Sequence, residues 1–332
     1  MDTPATTRFD TEPLPPPRRR RSSGAATTLG DQVFRWLTAA AAWLVLIALL
    51  GAAASMAWGG RLAFQTFGFG FITSRTWDAV GLQFGAFVPI YGTLVSSAIA
   101  MLIAIPTSLG IAIFLAEVAP AWIRGPIGMA IELLAAIPSI IYGMWGLFVF
   151  APFMATTVEP WLNDHFGPLP IIGTMFTGPP IGIGMLTAGI ILGIMTIPFI
   201  SSVMRDVFQA VPPALRESAF ALGATPWEVV RKVTIPHTRS AVLGAIFLGL
   251  GRALGETMAV TFVLGNAHDF SVSLLMPGNS IAAAIANEFT EADSPLYLSS
   301  LIALGFLLFV VTFIVLAIAK IMLLRIDRKT AR

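Results

Sequence analysis

The sequence predicts an all-α integral membrane protein, a bundle of six transmembrane helices, and three observations carry that prediction. Of 332 residues, 56% are hydrophobic and only 11% charged, with a mean hydropathy of +0.82; a soluble domain carries about 25% charge. Long stretches free of Asp, Glu, Lys and Arg recur, each sufficient for the ~20 residues that cross a bilayer. Basic residues fall between them on alternate connections, as the positive-inside rule requires. Cysteine is absent, which excludes a disulfide frame, a thiolate nucleophile and a cysteine metal site.

Residues 1–33, with Pro15, Pro16 and Pro17 followed by Arg18 to Arg21, are too polar and proline-rich to build a core and read as a disordered basic cytoplasmic tail. Their charge is read as a topology signal that meets membrane lipid, and no nucleic-acid partner is expected. The apolar run from Trp36 exceeds the ~7–15 residues of a signal-peptide core, so residues 36–58 form a retained first span. Trimming the later runs to bilayer length places the remaining spans at about residues 90–115, 130–152, 183–204, 240–265 and 297–320. Pro106, Pro138 and Pro198 fall inside the second, third and fourth, where neighbouring helices satisfy the freed carbonyls. Gly189 with Gly193, and Gly251 with Gly255, have the small-xxx-small spacing of close helix packing.

With the N-terminus inside, the 20 Lys and Arg lie on cytoplasmic segments or span edges, except Arg61, Arg75 and the intramembrane Arg252. Both termini are therefore expected in the cytoplasm. The presumed external loops carry Asp78, Glu159, Asp164, Asp269, Glu288, Glu291 and Asp293. Glu132 reads as an interfacial charge at the inner start of the third span.

Arg252 is the most informative residue, because Glu256 is the only other charge in its apolar segment. A charge at mid-bilayer costs roughly 2.5–3.5 kcal/mol on insertion scales, so it faces a polar path or a partner. At 1.5 Å per residue, Arg252 lies roughly 18 Å from Ser240, near mid-bilayer. A guanidinium stays ionised and donates bidentate hydrogen bonds, which suits an oxyanion. The competing reading is an intrahelical pair with Glu256 at i, i+4, a spacing that yields only about 0.2–0.5 kcal/mol. Glu256 would either orient Arg252 or moderate its field, and Thr257, Thr261 and the amides near Pro198 would add neutral donors.

The connection between the fourth and fifth spans, residues 212–236, has internal punctuation. Pro212 and Pro213 open a short helix over Leu215 to Leu222, ended by Gly223 in a left-handed conformation. Thr225, Pro226 and Glu228 then match a capping box that restarts a helix, which Ile235 and Pro236 stop.

Glu217, Ser218 and Ala219, then Gly223, then Val233 to Pro236 nine residues on, resemble the EAA loop of type I ABC importer permeases. The run Gly249 to Asn266, with Ala136 to Gly143, Pro198 to Asp206 and Val211 to Glu217, resembles phosphate-specific permeases of the PstC type. Ser218, Val233 and Ile235 depart from the loop pattern conservatively. The resemblance implies the type I importer (MetI-like) fold. It also implies a homologous second permease (PstA type), a dimeric cytoplasmic ABC ATPase (PstB type) and an external phosphate-binding protein (PstS type). Glu217, Ser218, Ala219, Gly223 and Pro236 are then the ATPase-coupling residues, and Arg252, Glu256, Thr257 and Thr261 line the substrate path.

No Gly-x-x-x-x-Gly-Lys-[Ser/Thr] occurs, so the chain cannot build a Walker A cradle. No cofactor is expected on this chain, and ATP and Mg are assigned to the ATPase. His165, His237 and His268 lie far apart in sequence, and no metal or catalytic role is expected of them. No catalytic residue is expected either: the chain reads as a transport subunit of a bacterial inner membrane rather than an enzyme. Sulfate, molybdate or phosphonate remain as alternative substrates, and an ATPase-independent secondary transporter as the alternative class.

Overall fold

In the computed structural model the described residues are 29–330, with side chains described through Ile321. The chain divides into two units, residues 1–52 and 53–332. Six described helices are long and apolar enough to cross a membrane: Leu29–Gly59, Phe87–Val118, Ser139–Phe166, Met185–Gln209, Pro226–Leu254 and Pro295–Ile321. The expected number of spans is present, while several boundaries move.

Helix α1 (Leu29–Gly59) buries none of its residues in the chain, as suits a helix that is apolar all round. Residues 29–33, expected in the tail, already belong to it. Asp31 in the first turn favours that early start, since an acidic group is stabilising at a helix N-terminus. The rest of the basic tail lies outside the described residues.

The second unit is organised by α4 (Phe87–Ile113) and α9 (Met185–Gln209), which run in the same direction with matching register. A Cβ on Gly189 would lie 2.6 Å from Ile99, and one on Gly193 would lie 3.2 Å from the Ala100 carbonyl. One turn further, the Ser108 hydroxyl donates to Ile197 O at 3.1 Å. The absent side chains let the two backbones approach until dispersion holds them, the main cohesive force between helices in lipid. Ile191, Leu192, Met195, Ile200 and Met204 complete the core.

The third span begins at Ser139, not at residue 130. A separate helix, α5 (Ala121–Ala135), precedes it, and Pro138 stands at the N-cap of α6 (Ser139–Trp145) instead of inside a span. Proline biases the residue before it away from helical ψ, which separates the two helices. The span continues through π turns at Gly146–Phe150 and Met154–Val158, with α7 (Ala151–Phe153) between them, into α8 (Glu159–Phe166). Glu159, expected on a loop, is therefore fully buried within it, and one carboxylate oxygen accepts the Gly182 N–H at 2.8 Å. Glu132 on α5 pairs with Arg205 at the end of α9.

At one end of this unit lie α2 (Arg61–Phe67), α3 (Gly70–Thr73) and an antiparallel hairpin of β1 (Trp77–Asp78) and β2 (Gln83–Phe84). They pack on α14 (Ile281–Glu288) and the start of α15 (Pro295–Thr330). The Glu288 carboxylate accepts from Trp77 Nε1 at 2.7 Å and Tyr297 OH at 2.6 Å, and meets His268 Nε2 at 2.8 Å. Burial pushes the Glu288 carboxyl up, but the hydrogen bonds from His268, Tyr297 and Trp77 outweigh it and hold the group below the usual carboxylate range. At the other end, α5, the π turn Phe114–Val118 and the segment after α9 come together.

Candidate functional site

The fifth span is not one helix. α12 (Ile235–Leu254) ends at Gly255, and α13 (Met258–Leu264) restarts after Glu256 and Thr257, correcting the continuous span expected over residues 240–265. The sequence places glycine just past the helix end and threonine at the start of the next, yet Gly255 keeps a negative φ and the Thr257 hydroxyl makes no capping bond; the Glu256 carboxylate takes that role. The freed backbone groups find partners locally. Gly255 N–H donates to Gly251 O at 3.3 Å, and Ala259 N–H donates to the Glu256 carboxylate at 3.2 Å.

Arg252 occupies the last turn of α12, where the negative end of the helix dipole favours a cation. Its guanidinium carbon lies 5.5 Å from the centre of the Phe199 ring. Phe199 is on α9, about 21 Å from Met185 and about 15 Å from Gln209 at 1.5 Å per residue. The guanidinium thus sits beside the middle of the fourth span. Among the described residues no carboxylate is within ion-pair distance of it, and its Nε is buried without a hydrogen-bond partner. The competing i, i+4 pair with Glu256 is not formed, because the helix break turns the Glu256 carboxylate onto the amide of the next helix. Removing the helical spacing removes the pairing.

Thr257 and Thr261 follow on the same break. The Thr261 hydroxyl donates to Thr257 O at 2.7 Å, and Asn266 Nδ2 donates to Thr261 O at 3.0 Å. The Thr257 hydroxyl approaches Gly255 O at 3.5 Å. To serve an anion, either hydroxyl would have to turn from the backbone. At Pro198, the carbonyls of Ile197 and Pro198 accept from Ser108 and Ser201, while the missing proline N–H leaves the turn before it short of one donor. Tyr142 is on α6, its hydroxyl donating to Leu134 O at 3.1 Å. Phe199 carries no sequence signal for this role; only the packing of α9 against α12 brings it to the arginine.

Residues 212–236 form the punctuated corner that the sequence led us to expect, with one correction. α10 (Pro213–Ala221) is followed by Gly223 at φ +84° and open space where its Cβ would stand. Thr225 and Glu228 form both bonds of the capping box at the start of α11 (Pro226–Val229). Pro236, however, does not stop the helix. A π turn over Val230–Thr234 shifts the hydrogen-bond register, the Ile235 N–H donating to Val230 O, so Pro236 falls in the first turn of α12, where no N–H is needed. The corner is thus continuous with the helix that carries Arg252. It leaves Glu217 exposed, and Phe220, Leu222 and Trp227 are 46%, 89% and 63% exposed. The Ser218 hydroxyl returns to Ala214 O at 2.6 Å, and Ala219 packs half-buried.

Residues 108–328 match the family described as binding-protein-dependent transport system inner membrane component. The chain is 62% identical over 299 residues to the phosphate transport system permease protein PstC of Xylella fastidiosa, covering 90% of this chain and 92% of that one. It is 58% identical to the protein of the same name from Mesorhizobium japonicum, covering 91% and 92%, and 52% identical to that of Haemophilus influenzae, covering 90% and 94%. In fold it is similar to a chain of a bacterial alginate ABC transporter solved with a periplasmic protein, at a TM-score of 0.56, 19% identity and 90% and 98% coverage. The MetNI methionine ABC transporter gives a TM-score of 0.52 at 17% identity, over 74% and 95% of the two chains. A multi-pass inner-membrane transport subunit of the type I ABC importer fold, the chain belongs to the PstC family of phosphate transport system permease proteins.

Proposed function

We propose that this chain is a permease subunit of an ATP-driven importer that moves inorganic phosphate, with Arg252 as the anion contact inside the membrane. The single observation that carries the reading is the unpaired guanidinium at the break in the fifth span. Interrupted helices at membrane depth occur where they line a cavity, and their ends meet charged cargo. The relatives that share this chain's length are phosphate permeases, which favours phosphate over sulfate, molybdate or phosphonate.

The chain's own groups divide the work. The Arg252 fork supplies two charge-assisted donors to the oxyanion, and the ring of Phe199 holds its plane. Glu256, within the break, keeps α13 capped and tempers the positive field, so the anion leaves as readily as it enters; conduction requires binding of that moderate kind. Thr257 and Thr261 offer hydroxyls as the ion passes. The other wall is a homologous second permease. A dimeric ATPase, which holds the ATP and Mg, docks on residues 212–236 from the cytoplasm, with Glu217, Ser218, Ala219, Gly223 and Pro236 in the joint. Both termini then lie on that same side, and an external phosphate-binding protein delivers the cargo opposite. Because α11, the π turn and α12 are continuous, a push at the corner displaces the helix bearing Arg252.

The test is phosphate uptake into proteoliposomes holding both permeases, with the phosphate-binding protein supplied outside, with and without the ATPase. Uptake that requires ATP and the ATPase, and that unlabelled phosphate suppresses more strongly than sulfate, molybdate or a phosphonate, is expected. Uptake without the ATPase would assign the chain to secondary transport.

A further inference from the structure

A second charged cluster, remote from Arg252, joins the corner to the bundle. Glu117 lies in the π turn Phe114–Val118 that ends the second span, with its side chain 8% exposed. Its Oε1 lies 3.2 Å from Arg216 Nη2 on α10 and accepts the Thr234 hydroxyl at 2.9 Å. Arg216 Nη2 also donates to Phe208 O near the end of α9, and Phe208 and Thr234 are fully buried. Thr234 in turn holds the first turn of α12, since the Thr238 hydroxyl donates to Thr234 O at 2.7 Å. One carboxylate therefore gathers α4, α9, α10 and the π turn that leads into α12.

Nothing in the substrate path needs this arrangement, and an exposed loop would not need a buried ion pair. Burying two charges is offset only when geometry and extra hydrogen bonds are good, and a broken buried pair leaves an uncompensated charge. Such a joint has one favoured arrangement, and it resists sliding of α10 against the spans. We propose that Glu117 is a positioning residue that latches α10, through Arg216, to the ends of the second, fourth and fifth spans, so that a push on the corner moves them as one body. This rests on the reading that residues 212–236 receive the ATPase.

The experiment compares wild-type importer with Glu117→Gln, Arg216→Gln, the double variant and Thr234→Val, all in the full complex in proteoliposomes. Two quantities are read: ATPase retained by the purified complex, and phosphate moved per ATP hydrolysed. Glu117→Gln is expected to retain the ATPase while the transport ratio falls about tenfold, within the 5–150-fold range of typical coupling energies. The double variant should lose no more than the worse single one, because both changes open the same latch, and Thr234→Val should lower the ratio by a smaller factor. An unchanged ratio in Glu117→Gln, or losses that multiply in the double variant, overturns the latch. If Glu117→Gln does not assemble, Thr234→Val decides, and an unchanged ratio there overturns it equally. Should the Leu222→Cys variant of the complex fail to cross-link to the ATPase, the docking reading falls first and separately; this chain has no native cysteine to confuse that result.

Discussion

The break after Leu254 and the corner after Gln209 treat charge in opposite ways. At the corner, Glu117 pairs with Arg216 and accepts from Thr234, and Glu228 is held by its capping box and by Lys232 at 3.0 Å; Arg216 Nε is buried without a partner, as Arg252 Nε is, so the two regions differ in ion pairing. At the break, Arg252 has an aromatic face beside it, an orphaned Nε, and a nearby carboxylate committed elsewhere. On the proposed reading, the charges that would transmit force are ion-paired within the protein, whereas the charge that would handle a mobile ion is left without a carboxylate partner. The two regions are joined covalently through α12, so on that reading one helix would carry both the coupling end and the anion-contact end.

The largest expected effect comes from removing the open charge. Arg252→Gln should lower phosphate uptake by about two orders of magnitude, since it deletes two charge-assisted bonds of about 1.5–3 kcal/mol each. The complex should still assemble and hold its ATPase. Its thermal midpoint should stay the same or rise, because the variant also deletes the ~2.5–3.5 kcal/mol cost of an embedded charge. A structural ion pair would behave in the opposite way, losing stability when one partner is neutralised. A falling midpoint with intact transport would therefore move Arg252 from the path into the scaffold.

A smaller effect is expected at the corner's hinge. At φ +84°, Gly223 adopts a conformation that costs other residues roughly 1–2 kcal/mol, and no atom lies within 4 Å of the place its Cβ would take. Gly223→Val should therefore act through backbone strain alone, weakening ATPase retention or transport per ATP by about 5–30-fold, with Gly223→Ala milder. Retention and coupling equal to wild type would show that the corner tolerates another turn, and the contrast between a rigid corner and an open break would fail.

Much of the corner was legible because its signals are local. Proline, glycine and the Thr-x-x-Glu spacing fix backbone conformation within a few residues, and the structure follows them at Pro212, Pro213, Gly223 and Thr225. Pro236 was misread because a π turn, which has no local sequence signature, absorbs it. The break at Gly255 was missed for a different reason: hydropathy is blind to hydrogen-bond register, so Gly255, Glu256 and Thr257 passed as ordinary helix inside an apolar run. The one local hint was a carboxylate three residues before Ala259, whose N–H it accepts. Arg252 stood out because charge in hydrocarbon is rare, but Phe199, and the meeting of Glu117 with Arg216, depend on which spans are neighbours.

The smallest effects separate two glycine pairs that look alike in sequence. Gly189 and Gly193 are pressed against α4, whereas a Cβ on Gly251 would find only Leu316 Cδ1 at 3.8 Å, and one on Gly255 only the Gly251 carbonyl at 3.7 Å. Gly189→Ala should overpack the α4–α9 contact and cost about 1–3 kcal/mol, seen as earlier unfolding of the solubilised chain in denaturing detergent. Gly251→Ala should change that midpoint little, or raise it, since alanine is favoured over glycine by up to about 1 kcal/mol in a helix. Any consequence should instead be in transport, because Gly251 is the residue before Arg252 in the last turn of α12. Equal destabilisation by both variants would mean that Gly251 is as tightly packed as Gly189, leaving no open side for an anion to pass.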